Sequence, residues 1–185
     1  VQTDGCIRGL EMSSHTDLDG LLGRVAEVAA VLKDKISHGS KVLLLSHYDA
    51  DGLSAVGILG ASLARMKANF QLRVIKELDS ATLDDALRSE PDFLVFADIG
   101  SGSLEELAQR ALQREALIID HHPPSAKTPN GVLQVNPHEF GIDGATEISA
   151  AGLSYLVARS LSQTNSDLSV LAVVGALGDM QDKNK

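Results

Sequence analysis

The sequence has no tryptophan, two tyrosines and four phenylalanines among 185 residues. A platform on which several bases stack is hard to assemble from so few rings. It has one cysteine, Cys6, so no disulfide can form within the chain. That points to a reducing compartment or to indifference to redox conditions. No apolar run approaches the roughly 20 residues of a membrane span, and no basic-plus-apolar leader opens the chain. The expected location is cytoplasmic, without a membrane partner. Positive charge is also short: 16 Lys and Arg against 25 Asp and Glu, a net charge of −9. This leaves no wholesale basic surface for nucleic acid, and it is also what carboxylates gathered for metal cations produce. There is no internal repeat and no low-complexity stretch. With 44% apolar and 22% charged residues, the composition excludes a disordered chain, a collagen and a coiled coil. A chain of this length buries about 70% of its extended surface, enough for one core and one domain.

What is present is an alternation. Residues 1–15 show no clear period and read as a loose lead-in to a domain over 16–185. From Asp17 to about Ser37, Leu18, Leu21, Leu22, Val25, Val28, Ala29 and Leu32 recur at helical spacing, with Gly39 as a stop. Short apolar runs follow at 42–45, 72–75, 93–97, 117–119 and 132–135. Runs this short and apolar on both faces suit strands covered on both sides in a parallel sheet. Helical patterns at 52–67, 82–88 and 103–113 lie between them, and two more near 147–163 and 167–176 finish the chain. Ser103 and Glu106 have the spacing of a capping box. Strand alternating with helix predicts an α/β fold, a doubly wound, mainly parallel sheet with helices on both faces.

The chemistry-bearing residues follow the strands directly. Ser46-His47-Tyr48-Asp49-Ala50-Asp51-Gly52 comes after the first run, Asp98 after 93–97, and Asp120-His121-His122 after 117–119. Strand carboxyl ends line the ligand crevice of open α/β sheets, so one sheet edge would receive all seven acids and imidazoles. The last helix ends in Gly178-Asp179 and runs on to Asp182. Carboxylates packed this closely need cations or protons to offset them. Oxygen ligands with a few imidazoles suit Mn²⁺ or Mg²⁺ better than structural Zn²⁺. A carboxylate shared by two ions would hold them about 3.5–4 Å apart, the spacing of two-metal phosphoester hydrolysis. Taken singly, each motif has a plainer reading: Asp98 as a helix N-cap, the two histidines as a surface or core pair, 49–52 as a turn. A calcium loop starting at Asp49 would need Glu at its twelfth position, where Gly60 stands.

In this order the motifs resemble those of the DHH phosphoesterase superfamily: His47-x-Asp49-x-Asp51-Gly52, Asp98, Asp120-His121-His122 and Gly178-Asp179. The likeness covers roughly 40–182 and is most similar to RecJ-like nucleases, including the archaeal branch of the GINS-associated nuclease. SHYDADGLSA, DHHPP, VNPHEFGIDG, EISAAGLSYLVAR and AVVGALGDMQD support it. Bacterial RecJ often has Asp where His47 stands. The resemblance implies two divalent ions, Mn²⁺ by preference or Mg²⁺. His47, Asp49 and Asp98 would hold one, and Asp51, Asp98, His121 and Asp179 the other, with Asp98 bridging. His122 would touch the scissile phosphate or assist the leaving group, and Asp120 would orient its neighbours. Asp98, Asp120, His121 and His122 are thus the implied catalytic set, and Asp182 reads as a solvated acid. The implied activity is a single-strand exonuclease of replication and repair, in which a hydroxide bridging the metals attacks phosphorus and DNA or RNA is released as mononucleotides. The implied partners are single-stranded nucleic acid, and GINS with the replicative helicase assembly. Family members usually continue into a DHH-associated substrate-binding domain, which this chain lacks. Two other readings stay open: a small-substrate phosphoesterase acting on oligoribonucleotides, nucleotide phosphates or cyclic dinucleotides, and a replication-fork scaffold. His47 two residues before Asp49 favours the nuclease branch.

Overall fold

The computed structural model describes residues 16–110 and 115–183. The expected lead-in 1–15, Cys6 and the end of the 103–113 helix lie outside the described residues. Helix α1 (Leu18–Ser37) starts where Asp17 accepts a hydrogen bond from the Gly20 amide at 2.8 Å. Its buried stripe is Leu21, Val25, Val28, Ala29 and Leu32, five of the seven residues whose spacing marked it; Leu18 and Leu22 stay exposed. Strand β1 (Val42–His47), helix α2 (Ala50–Arg65), strand β2 (Phe70–Ile75), helix α3 (Ser80–Leu87) and strand β3 (Phe93–Ala97) follow. Helix α4 (Leu104–Arg110), strand β4 (Glu115–Ile119), strand β5 (Val132–Val135), helix α5 (Ala150–Leu161) and helix α6 (Ser169–Gly178) complete the described elements.

The five strands form one parallel sheet in the order β2-β1-β3-β4-β5. Alternate residues divide between its faces, as the two-residue period of a strand requires. Val42, Leu44, Phe93, Val95, Ala97, Leu117, Ile119 and Val135 pack under α1, α2 and α5. Leu43, Leu45, Leu94, Phe96, Ala116 and Ile118 pack with Leu83 and Ala86 of α3 and Leu104 and Leu107 of α4. Helices on both faces make the doubly wound α/β fold that the alternation predicts. Edge strand β2 is less buried, with Leu72 and Val74 exposed, which explains why its run is the weakest of the five.

The strand order reverses between β1 and β3. The first crossover carries the chain to one side of β1 and the next brings it back to the other. At such a switch point the loops leaving the strand ends splay apart and open a crevice. The β1–α2 junction and residue 98 leave from that point, and 120–122 leaves from the adjacent β4.

Ser103 closes a 3₁₀ turn (Ser101–Ser103), its amide donating to the Gly100 carbonyl at 3.0 Å. The Glu106 carboxylate accepts from the Ser80 hydroxyl on α3, a cross-helix contact that its spacing from Ser103 does not reveal. Helix α6 holds Gly175 against the core but leaves Val170, Val173, Val174 and Leu177 exposed. No described helix is long and apolar enough to cross a membrane.

Candidate metal centre

Two of the strand ends are shaped by one close approach. Asp49 caps α2 by accepting from the Gly52 amide at 2.9 Å, so the chain turns from β1 into α2 within two residues. A Cβ on Gly52 would collide with the His47 carbonyl and stand 3.0 Å from Asp98 Oδ2. Glycine here lets α2 begin directly against β1 and β3. His47 Nδ1 lies 2.8 Å from Asp49 Oδ2 and 3.7 Å from Asp98 Oδ2.

Asp98 is not a helix cap. Its φ is 58°, in the left-handed region that Asp tolerates better than most residues, whereas an N-cap is extended. Its amide donates to the Ile119 carbonyl at 2.9 Å, which extends the β3–β4 pairing by one residue and turns the side chain into the cluster. Among the described residues, both carboxylate oxygens are buried without a hydrogen-bond partner. Leaving such a group unsatisfied costs roughly 1–3 kcal/mol, more when it is charged. Burial raises its pKa to about 7, with Asp51, Asp49 and Asp120 pushing the same way against His121.

His121 Nδ1 lies 2.8 Å from the Gly144 carbonyl and donates to it. Nε2 is thereby presented 3.3 Å from Asp98 Oδ1 and 3.8 Å from Asp51 Oδ2, a close charge contact rather than an aligned hydrogen bond. Burial pulls this imidazole down, but Asp98, the Gly144 carbonyl and Asp51 outweigh it and hold the pKa at about 9. Asp179, at the C-terminal end of α6, places Oδ2 3.7 Å from His121 Nδ1. Gln181 donates both to that oxygen at 3.2 Å and to the Gly144 carbonyl at 3.0 Å.

Asp51 carries a second duty that its motif does not reveal. Its two oxygens accept from the Ala150 and Ala151 amides at the start of α5, at 2.8 and 3.0 Å. It is 2% exposed, and burial raises its pKa against those hydrogen bonds. A carboxylate has about four lone-pair sites, so two remain for a cation. Asp120 is saturated: Oδ1 accepts from the His121 and His122 amides and from His122 Nδ1, and Oδ2 from the Ser101 amide. Burial raises its pKa, but His122 and these amides outweigh it and hold it below the usual carboxylate range, while it raises His122 in turn. Asp120 is therefore a positioning residue.

The structure brings together all eight residues that the sequence nominates. Three triples place ligand atoms within 4.8 Å of one another: His47, Asp49 and Asp98; Asp51, His121 and Asp179; and Asp98, His121 and His122. Asp182 is exposed outside them. The donor set is oxygen-rich with imidazoles and without thiolate, which fits Mn²⁺ or Mg²⁺, and the two bare oxygens of Asp98 are what a buried cation would satisfy. The Gly144 carbonyl, Gln181, Ser101 and Asn136 also belong to the site, though sequence reasoning assigns them no role. The last donates to the His122 carbonyl at 2.8 Å and the Ser101 hydroxyl at 2.9 Å. Their segments include VNPHEFGIDG and GALGDMQD, but a carbonyl or an amide side chain has no motif of its own.

Two cavities open on the cluster. One, about 460 Å³, is bounded by His47, Asp98, Asp120 and His122, with Lys76, Ser103 and Glu106 beyond. The other, about 310 Å³, is bounded by His121, His122, His138, Asp143 and Asp179. His122 borders both.

An uncharacterized protein of Methanocaldococcus jannaschii is 40% identical over 168 residues, which cover 86% of this chain and 38% of that protein. The single-stranded-DNA-specific exonuclease RecJ of Bacillus subtilis is 23% identical over 171 residues, 86% of this chain and 22% of that protein. The chain thus spans well under half the length of these relatives. A crystal structure of exonuclease RecJ bound to manganese superposes with a TM-score of 0.72 at 25% identity, over 84% of this chain and 43% of that one. Residues 41–176 match the DHH family, N-terminal domain, and the chain belongs to that family.

Proposed function

We propose that this chain is the metal-binding catalytic domain of a phosphodiesterase that hydrolyses single-stranded DNA or RNA to mononucleotides. One observation carries the reading: the Asp98 carboxylate is buried, bare on both oxygens, and flanked by two sets of ligand atoms. In this reading His47, Asp49 and Asp98 hold one divalent ion, and Asp51, Asp98, His121 and Asp179 the second. When bound, such a pair supplies hydroxide near neutral pH and offsets charge on the phosphoryl oxygens. Asp98 joins the two ligand sets. Gly144 and Gln181 fix His121 and Asp179. Asp120 holds His122 at the border of the two cavities, where its Nε2 side can donate to a phosphoryl oxygen or the leaving oxygen. Single-stranded nucleic acid is the expected partner. GINS and the replicative helicase assembly belong to the same reading as partners of a longer protein that also carries a DHH-associated domain.

The test is an Mn²⁺-dependent digest of 5′- and 3′-labelled single strands, with a dinucleotide as competitor and Asp98→Ala beside the parent. Stepwise release of mononucleotides, lost in the variant together with Mn²⁺ binding, is expected. Retained Mn²⁺-dependent turnover in Asp98→Ala would overturn the bridging role. Turnover of the dinucleotide alone would move the substrate to the small-molecule class.

A further inference from the structure

The cavity between His121, His122, His138 and Asp143 has a different chemistry from the one across His122. Beside Asp179, which the proposed function gives to an ion, its carboxylate is Asp143, and neither lysine nor arginine lines it. Around Asp143 a phosphate is disfavoured, and a neutral group rich in hydroxyls is favoured. His138 is the second residue of the 3₁₀ turn Pro137–Phe140, and Asn136 accepts from its amide while also donating to the His122 carbonyl. The backbone that carries the imidazole is therefore tied to His122.

Among the described residues no hydrogen bond reaches the His138 ring, and its Nε2 is buried without a partner. It lies 3.1 Å from where a Cβ on Gly144 would stand. With Nε2 closed off, Nδ1 is the ring nitrogen left to meet a ligand. On the same cavity, Asp143 Oδ1 accepts from the Ala145 amide at 3.0 Å and Oδ2 from the Thr146 hydroxyl at 2.8 Å. These bonds, the Thr146 contact first, keep its carboxyl below the usual range, so it remains an acceptor at neutral pH. Asp143 precedes the residue whose carbonyl holds His121, so the cavity and the metal cluster share one loop.

We propose that this cavity is a ribose subsite, in which Asp143 accepts a hydrogen bond from a sugar 2′-hydroxyl and His138 Nδ1 donates one to it. The 2′-hydroxyl is both donor and acceptor and is the group that distinguishes RNA from DNA. The subsite gives the domain a preference for ribonucleotide strands. This inference rests on the phosphodiesterase reading for the placement of the strand.

The experiment is calorimetric titration of the full chain, in Ca²⁺, with five-residue oligouridylate and oligodeoxyuridylate, beside an Mn²⁺ digest of both. Hydrogen bonds involving a charged group give an expected preference of about tenfold or more for the ribo-oligomer. His138→Ala and Asp143→Ala bring the ribo-oligomer down to the deoxy level and leave deoxy affinity within about twofold. Asp143→Asn can keep the Ala145 and Thr146 contacts and isolates the charge from the loop. His138→Asn, which returns an N–H near the Nδ1 position, keeps the preference, as a merely structural histidine would not require. Equal parent affinity for the two oligomers, or variants that weaken both alike, overturns the subsite. Ribo-selective binding without hydrolysis of either strand overturns the phosphodiesterase reading and leaves the subsite standing. Binding of neither overturns both.

Discussion

At the scale of single residues, the site stores its function as unsatisfied electrostatics. Asp98 at about 7 and His121 at about 9 both bind protons more tightly in the folded chain than in the unfolded one. A group raised on folding contributes stability at low pH and loses it as pH climbs through its folded value. The Asp98 part fades from about 4 to 7 and the His121 part from about 6.5 to 9. Asp49 and Asp120, held low, act only in the acid range. Metal-free protein should therefore lose a few degrees of Tm between pH 6.5 and 9 by differential scanning fluorimetry. Mn²⁺ should reverse that slope, because its ligands must be deprotonated to bind. A flat metal-free profile would contradict the pairing. Gly52→Ala should cost about 1–3 kcal/mol in urea unfolding, since a methyl there meets the His47 carbonyl in a packed core. It should also weaken Mn²⁺ binding, because Asp98 must shift.

Among elements, the informative residue is Asp51. It caps the first turn of α5 from α2 across about a hundred residues of sequence, whereas Asp49 caps its own helix and is exposed. In chelator, Asp49→Ala should cost about 1 kcal/mol, the usual loss of an N-cap. Asp51→Ala should cost about 2–4 kcal/mol, because two buried amides lose their acceptor. Chemical denaturation in EDTA separates the two, although both variants lose Mn²⁺ binding at one of the triples. Gly175 marks the place where α6 crosses: a Cβ there would meet Ala151 and Asp51. Gly175→Val should therefore lower Tm and Mn²⁺ affinity together, while Val173→Thr on the exposed face of α6 should leave both within error.

For the molecule as a whole, the net charge of −9 and a carboxylate-rich crevice make the metal-free fold self-repelling. Saturating Mn²⁺ at a hundred times its Kd should add about 2.7 kcal/mol for each ion bound, a rise in Tm of roughly 5–11 °C per ion. Magnesium at equal saturation should do the same, and EDTA should abolish it. The local patterns suffice for most of this architecture. Period 3.6 marked α1, short two-faced apolar runs marked the strands, Asp49, Asp51, Asp98 and His121 stood out as acids and an imidazole gathered directly after strands, and Asp179 stood out at the end of the last helix. Those features depend on neighbours a few residues apart, which is the range over which periodicity and turn chemistry act. Others were decided only by folding. The order β2-β1-β3-β4-β5 sets three strand ends side by side. It also makes Asp51 a cap for α5, brings Ser80 to Glu106, and brings the Gly144 carbonyl and Gln181 to the cluster of candidate ligands. Those contacts join residues 23 to 100 positions apart, and a backbone carbonyl leaves no trace in the identity of its residue. Element types and the acid-and-imidazole character of the site are legible in the sequence, because both are local. Which of those side chains meet, and what holds them, follows from the fold, because folding brings distant backbone and side-chain groups within bonding distance.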